Sequence, residues 1–218
     1  TKTSSGTSNV NVAFNNNTGG IVNVNAGTLS LNAGGTDAGT FNAGAGGTLQ
    51  FGGGTHTLNT GAVLAGAGTT AVTAGTVTVS GAVGASNLTQ AGGVVNGGGA
   101  LTISNSLTWS AGNLSGTGST TLAAAGTGSI TNTGQVQISQ RAFNNAGTLT
   151  LSGSGDIGLD TGASINNQAG ATFILNNNQS VINNGSALSV SNSGTLTKSS
   201  SGTSNVNVAF NNNTGGIV

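Results

Sequence analysis

The feature that most constrains this chain is a near-identical repeat at its two ends. Residues 1–22 read TKTSSGTSNVNVAFNNNTGGIV and residues 197–218 read TKSSSGTSNVNVAFNNNTGGIV, so they differ only at Thr3 and Ser199. Self-similarity at a fixed period is typical of solenoids and tandem arrays. We interpret residues 1–196 as one repeat unit and residues 197–218 as the start of the next, and we expect a longer tandem array whose units stack end to end.

A shorter motif within the unit consists of glycine, then a small or polar residue, then alternating apolar and polar positions. It predicts short half-buried strands, because successive side chains of a strand point to opposite faces. The motif occurs at 27–31, 47–51, 75–79, 99–103, 134–138 and 147–151. The spacings of 20, 28, 24, 35 and 13 residues indicate a coil of about twenty residues that uses the motif on more than one side. No stretch carries the apolar stripe and caps of a helix.

The composition favours a narrow solenoid over a sandwich or barrel. The chain has no Pro, which central strands of a continuous ladder exclude. Asn-Gly, the strongest hairpin signal, occurs only at residues 96–97 and 184–185. Aromatic residues make up 3% of the chain, whereas Gly and Asn, which tolerate left-handed backbone, are abundant. The sequence therefore predicts an all-β fold, a parallel β-helix (β-solenoid) with about ten coils per 196-residue unit.

The alternation also predicts which side chains face the interior. We expect the apolar positions to be buried at Leu29, Leu31, Leu49, Phe51, Val77, Val79, Leu149 and Leu151. We expect the alternate positions to face outward at Thr28, Thr76, Thr78, Thr148 and Thr150. A register slip of one residue would invert both sets.

An apolar residue followed by two asparagines recurs along the chain, at Phe14, Phe143, Ile165, Ile182 and Phe210 among other places. Because stacked strands can align identical Asn side chains into hydrogen-bonded ladders, these pairs are candidate ladder residues: Asn15, Asn16, Asn144, Asn145, Asn166, Asn167, Asn183, Asn184, Asn211 and Asn212. The alternative, that each Asn serves only as a turn residue, predicts no contact between asparagines.

Several segments resemble giant repetitive bacterial surface proteins with filamentous-haemagglutinin-like and autotransporter-passenger β-solenoids. The segments are FNNAGTLTL at 143–151, INNQAGATF at 165–173, FNAGAGGTL at 41–49 and GGTHTL at 53–58. The resemblance implies a right-handed parallel β-helix, secretion to the cell surface or medium, and a role in adhesion, a sheath or a matrix. It identifies no ligand and transfers no functional residue.

The few chemically reactive side chains favour structural roles. His56 with Asp37 and one of many serines could form a triad, but no nucleophile elbow is present, so we expect a turn histidine. Asp156 and Asp160 lie near one another at 153–160, but the spacing differs from that of a calcium-binding repeat and occurs once. We predict no catalytic, cofactor-binding or metal-binding residue.

Two further large side chains are also interpreted structurally. Trp109 follows Leu107 in strand phase, which predicts a core or corner position rather than a sugar-stacking platform. Arg141 precedes Phe143 by two residues, and we expect it to make a hydrogen bond at the surface or a corner.

Charge and length exclude other function classes. Three basic residues balance three acidic residues, so the chain lacks the basic patch that nucleic-acid binding requires. No apolar run reaches the roughly 20 residues of a membrane helix. A structural rod with possible lateral self-association is the function that these patterns favour. Outward Thr-x-Thr pairs, as at 76–78 and 148–150, leave ice or surface binding as an alternative, although equivalent pairs elsewhere break the row.

Overall fold

The computed structural model describes residues 1–218 as strands, turns and bends, with no helix. All named strands belong to one 22-stranded sheet. Each pairing joins strands in parallel, from Thr7↔Thr28 at one end of the molecule to Ser189↔Ala209 at the other. Partners along one side are separated by as few as 18 residues, at Thr70↔Leu88, or by as many as 25, at Ser164↔Ser189. The chain is therefore a β-solenoid of about ten coils.

The strand bounds follow the chain without interruption by another type of element. The strands are β1 (Thr7–Val10), β2 (Ile21–Leu31), β3 (Gly35–Asp37), β4 (Thr40–Phe51), β5 (Thr55–Leu58), β6 (Val63–Ala65), β7 (Thr69–Val72), β8 (Thr76–Val79), β9 (Val83–Asn96), β10 (Ala100–Ser115), β11 (Ser119–Leu122), β12 (Thr127–Ile130), β13 (Val136–Ser139), β14 (Ala142–Asn145), β15 (Thr148–Leu151), β16 (Ile157–Asp160), β17 (Ser164–Asn167), β18 (Thr172–Leu175), β19 (Val181–Asn183), β20 (Ser189–Asn192), β21 (Thr195–Lys198) and β22 (Ala209–Asn212).

Each coil has three faces, which we name A, B and C in the order in which the chain meets them after β1. Face A stacks β1, the second halves of β2 and β4, β7, the middle of β9 and β10, β12, β15, β18 and β21. Face B stacks β3, β5, β8, the ends of β9 and β10, β13, β16 and β19. Face C stacks the starts of β2, β4, β9 and β10 with β6, β11, β14, β17, β20 and β22.

The three faces explain the irregular motif spacings. The motifs at 27–31 and 47–51 lie one coil apart on face A, which gives the spacing of 20 residues. The motif at 75–79 lies on face B, and the motif at 99–103 lies on face C. The sequence prediction that a coil uses the motif on more than one side is therefore confirmed.

The interior follows the predicted alternation of side chains. Leu31, Leu49, Phe51, Val77, Val79, Leu149 and Leu151 are buried in one continuous core, and the five predicted threonines are partly or fully exposed. Leu29 is the exception, because it lies near the open first coil and is only half-buried. Trp109 is buried as predicted, and its indole N–H donates a hydrogen bond of 3.1 Å to the Gly112 carbonyl.

Left-handed glycines turn the chain between faces A and B. Gly54, Gly75, Gly93 and Gly112 succeed one another at this corner, each with positive φ. A Cβ at Gly75 would lie 2.4 Å from the Gly54 carbonyl oxygen. Glycine is required there for both reasons, since a side chain would strain the backbone and collide with the preceding coil.

The two copies of the repeated sequence lie at opposite ends of the stack and on different faces. In the first copy, Val10 pairs with Leu31 on face A. In the second copy, the equivalent Val206 bridges Val181 on face B. Similarly, Lys2 bridges Val24 on face C, whereas its equivalent ends β21 on face A. The two copies are therefore not related by a translation along the solenoid axis alone, as their near-identical sequences would suggest. The second copy is also rotated about that axis, so that each of its residues lies one face further on.

The reason is the number of coils between the copies. After Lys2 the chain crosses face C nine times, from β2 to β20, and then enters face A at β21, where the second copy begins. The unit thus contains nine coils and one further face rather than a whole number of coils. The local turn is nevertheless the same in both copies, with φ of 82° at Gly19 and 85° at Gly215.

Candidate functional site

The most ordered polar feature of the interior is a ladder of asparagines on face C. Asn145 donates from Nδ2 to Asn167 Oδ1, Asn167 donates to Asn192, and Asn192 donates to Asn212, each over 2.8 Å. The first three side chains are buried. Because every rung is both donor and acceptor, the ladder ties successive coils together through side chains as well as through backbone.

Each rung also spans the corner between faces C and A. The second Nδ2 hydrogen of Asn145 goes to the Thr172 carbonyl, that of Asn167 to the Thr195 carbonyl and that of Asn192 to the Ile217 carbonyl, each over 2.9 Å. Both amide donors are therefore satisfied inside the core, which removes the cost of burying an unpaired polar group.

The sequence predicted part of this ladder. Asn145, Asn167 and Asn212 are among the predicted residues, and Asn144 and Asn166 form an outer contact in which Asn166 Nδ2 donates to Asn144 Oδ1 over 2.9 Å. Asn192 was missed because Ser191 interrupts the Asn-Asn pattern. The usable signal is an apolar residue two positions earlier, here Val190, since the two side chains then share the inward face.

The remaining predicted residues do not contact another asparagine of a neighbouring coil: Asn15, Asn16, Asn183, Asn184 and Asn211. Asn15 Oδ1 accepts from the Thr36 N–H over 2.8 Å, and Asn183 Oδ1 accepts from the Gly185 N–H over 2.9 Å. A ladder needs asparagine in one column of two successive coils, whereas Asn183 is aligned with Leu159 and Asn211 with Ser191.

Arg141 lies at the corner between β13 and β14, one of the two expected positions, but it is fully buried and not at the surface. Its Nε donates to Thr120 Oγ1 over 2.9 Å. Its two terminal nitrogens donate to four carbonyls, those of Gly97, Gly99, Ser115 and Ser119, over 2.8–3.3 Å. All five guanidinium N–H groups therefore have acceptors, on two preceding coils. Burial lowers the pKa of Arg141 to about 10, so the side chain stays charged at neutral pH.

His56 is a strand residue with a buried ring, not the expected turn histidine. Its Nδ1 lies 3.4 Å from Asp37 Oδ2, and its ring packs 4.8 Å from the Phe51 ring. The other Asp37 oxygen accepts from the Asn16 backbone N–H over 2.9 Å. Both side chains are closed off from solvent, and His56 Nε2 has no hydrogen-bond partner. The geometry gives this pair an internal contact between coils and no route for a substrate.

The other acidic side chains also satisfy local groups. Asp156 Oδ1 accepts from the Ser180 N–H over 2.7 Å, and Asp160 Oδ2 accepts from Ser139 Oγ over 3.2 Å. No group of three or more His, Cys, Asp or Glu side chains is close enough to hold a metal ion.

Face A carries an outward column of hydroxyl side chains that is interrupted only by Asn87. The column contains Thr7, Thr28, Thr48, Thr69, Thr127, Thr148, Thr172 and Thr195, with Asn87 and Ser106 in its middle. The Thr-x-Thr pairs noted in the sequence do not form one row, because 76–78 lies on face B and 148–150 lies on face A. The second outward column of face A is mixed, since it includes Gln50, Ala71 and Ile174.

The last coil leaves apolar side chains uncovered. A cavity of about 630 Å³ opens there between Leu175, Leu196, Val206, Phe210 and Val218. Phe210 is 37% exposed and Val218 is 75% exposed. At the other end, Phe14, Val22 and Leu29 line a second concavity. Both ends therefore present apolar surface that another coil would cover.

No protein-family model, no curated protein and no solved structure matches this chain. The structure contains no helix with the length and apolar character needed to cross a membrane.

Proposed function

We propose that this chain is a structural segment of a long extracellular fibre or cell-surface rod, built from tandem β-solenoid units as in an adhesin stalk, sheath or matrix filament. One observation carries the proposal: residues 197–218 repeat residues 1–22 and continue the stack at its far end. A following unit would extend the same ladder of strands without a new interface.

The interior supports a mechanical role. Backbone hydrogen bonds join each coil to its neighbours on three faces, and Arg141 and the ladder of Asn145, Asn167 and Asn192 add side-chain bonds between coils. Bending such a rod strains many bonds together. Asp37, His56 and Arg141 are fully buried inside the wall.

Particle length tests the rod. Coils repeat at about 4.8 Å, so a unit of nine coils and one face should advance the rod by about 45 Å. Three units joined in one chain should appear in electron micrographs as a straight particle one solenoid wide, about 135 Å long. A compact particle in which units fold back on one another would overturn the proposal.

Ice or surface binding remains the alternative, and the threonine column of face A is the observation that favours it. A regular hydroxyl row at strand spacing matches a periodic surface, but a flat two-row array is absent because the second column is mixed. Thermal hysteresis of the 218-residue chain separates the two functions. Measurable hysteresis that disappears in Thr148→Leu would favour the alternative.

A further inference from the structure

The two copies of the repeated sequence hold complementary halves of one junction between units. At the far end of the stack, Asn212 Oδ1 accepts a hydrogen bond from Asn192 over 2.8 Å. At the near end, the equivalent Asn16 donates from Nδ2 to the Thr40 carbonyl over 3.0 Å and from its backbone N–H to Asp37 over 2.9 Å. Asn212 therefore shows how this residue bonds to the preceding coil, and Asn16 shows how the equivalent residue bonds to the following coil.

The two sets of contacts use different atoms and are compatible in one residue. The Nδ2 bond of Asn16 to Thr40 has the same geometry as the bond of Asn192 to Ile217, because each reaches the first residue of the next face on the next coil. Asn16 therefore makes the corner bond of a ladder rung to the following coil. Its backbone N–H, rather than its side-chain amide, bonds to Asp37, whose other carboxylate oxygen lies 3.4 Å from His56 Nδ1.

From these halves we propose that the open last coil is the docking surface for the next unit, turned by one face. Val10 lies on face A, whereas its equivalent Val206 lies on face B, so each face of the next unit is shifted by one. Face B of one unit therefore continues as face A of the next, and face A continues as face C. The occupant is the segment equivalent to residues 23–43, which would cover Phe210 and Val218. This inference rests on the proposed rod.

Two consequences follow for an array. The ladder of Asn145, Asn167, Asn192 and Asn212 would continue into the junction. Because Asn16, the equivalent of Asn212, bonds to Asp37 through its backbone N–H, the Asp37–His56 pair of the next unit would lie beside the end of this polar column. In addition, successive units are related by a third of a turn, so any surface feature of the unit, such as the threonine column, winds around all three sides of the rod. The full repeat is then three units.

Disulfide formation in the 218-residue chain tests the register of the last coil. The chain has no native cysteine. Ser191 and Asn211 are outward partners on adjacent strands, and strand spacing suits a disulfide. Ser191→Cys with Asn211→Cys should therefore oxidise completely. If the copies were related by translation alone, residue 211 would lie on face B beside Asn184, and Asn184→Cys with Asn211→Cys would oxidise instead. Oxidation of the second pair, of both pairs or of neither would overturn the proposed register.

A label on a three-unit chain then tests the screw and separates it from the rod. Thr150→Cys in each unit, modified with a gold particle, should place labels about 45 Å apart on three successive sides. A straight rod with all labels along one side would overturn the screw and leave the rod intact. Particles that are not elongated would overturn the proposed function itself.

Discussion

The first and second copies of the repeated sequence lie on different faces of the solenoid. The face is determined by the residues that separate the two copies, not by the repeated sequence itself. Their 22 residues differ at one position, yet Asn16 lies on face B beside Asp37 and Asn212 lies on face C beside Asn192. The local turn is common to both, since Gly20 N–H bonds to Asn17 O over 2.8 Å and Gly216 N–H to Asn213 O over 2.9 Å. Local sequence therefore fixes the turn, whereas the number of intervening coils and faces fixes the neighbours.

Deletion of a whole coil and deletion of a single face, compared with each other, test this dependence most severely. Removal of residues 148–171 takes out one complete coil, because Thr148 is aligned with Thr172. We expect this variant to unfold cooperatively, with Asn212 still on face C and the rod shorter by about 4.8 Å. Removal of residues 161–168 takes out one face alone, so every later strand would meet the wrong column.

The face deletion should abolish cooperative unfolding and give an aggregated product, as judged by circular dichroism and size-exclusion chromatography. Retention of cooperative unfolding in the face deletion would contradict the idea that the count of faces controls the stack. If the whole-coil deletion also lost cooperative unfolding and aggregated like the face deletion, that result would contradict the same idea.

Arg141 should have the largest effect of any single side chain, because it fixes the coils that separate the two copies. Arg141→Lys keeps a buried charge but has too few donors for five acceptors, so we expect a loss of about 3–5 kcal/mol in the free energy of unfolding. Arg141→Met removes the charge and leaves carbonyls less well satisfied, at a cost of about 2–3 kcal/mol.

The matched control for this pair is Lys198→Met, which removes an exposed cation and should change stability by less than about 0.5 kcal/mol. Urea denaturation measures all three variants. Equal small losses for both Arg141 variants would show that the guanidinium is not a clamp between coils.

Strand positions and interior side chains were predictable from the sequence, because period-2 alternation fixes which residues face inward. The same alternation contained the missed information: Arg141 shares the phase of Phe143, and His56 shares the phase of Leu58. They were expected outside because isolated polar side chains are rarely buried, and their partners lie on other coils. The face of each strand was not predictable, since coils vary from 18 to 25 residues and alternation is alike on all faces.

The same substitution in the two copies should have unequal effects. Asn16→Asp removes the donor to Thr40 and places a second carboxylate near buried Asp37, so we expect a loss of about 3 kcal/mol. Asn212→Asp keeps an acceptor for Asn192 at an exposed end, so we expect a change below about 0.5 kcal/mol. Chemical denaturation of both variants measures the difference. Equal losses would mean that the two copies have equivalent surroundings.

The repeated phenylalanine should show a smaller difference, and one that depends on the number of units. The Phe14 ring is half-buried, 6.3 Å from the Phe41 ring, whereas Phe210 is 37% exposed at the open end. Loss of apolar burial predicts a cost of about 1–2 kcal/mol for Phe14→Ala and less than about 1 kcal/mol for Phe210→Ala. In a chain of two joined units, residue 210 would be covered by the following coil, so its substitution should cost as much as a fully packed ring. The cost is read from urea denaturation of the one-unit and two-unit chains in parallel. If it stays the same when the second unit is added, the following unit does not dock on this coil, and the comparison between the copies reflects only their places at the ends of a short stack.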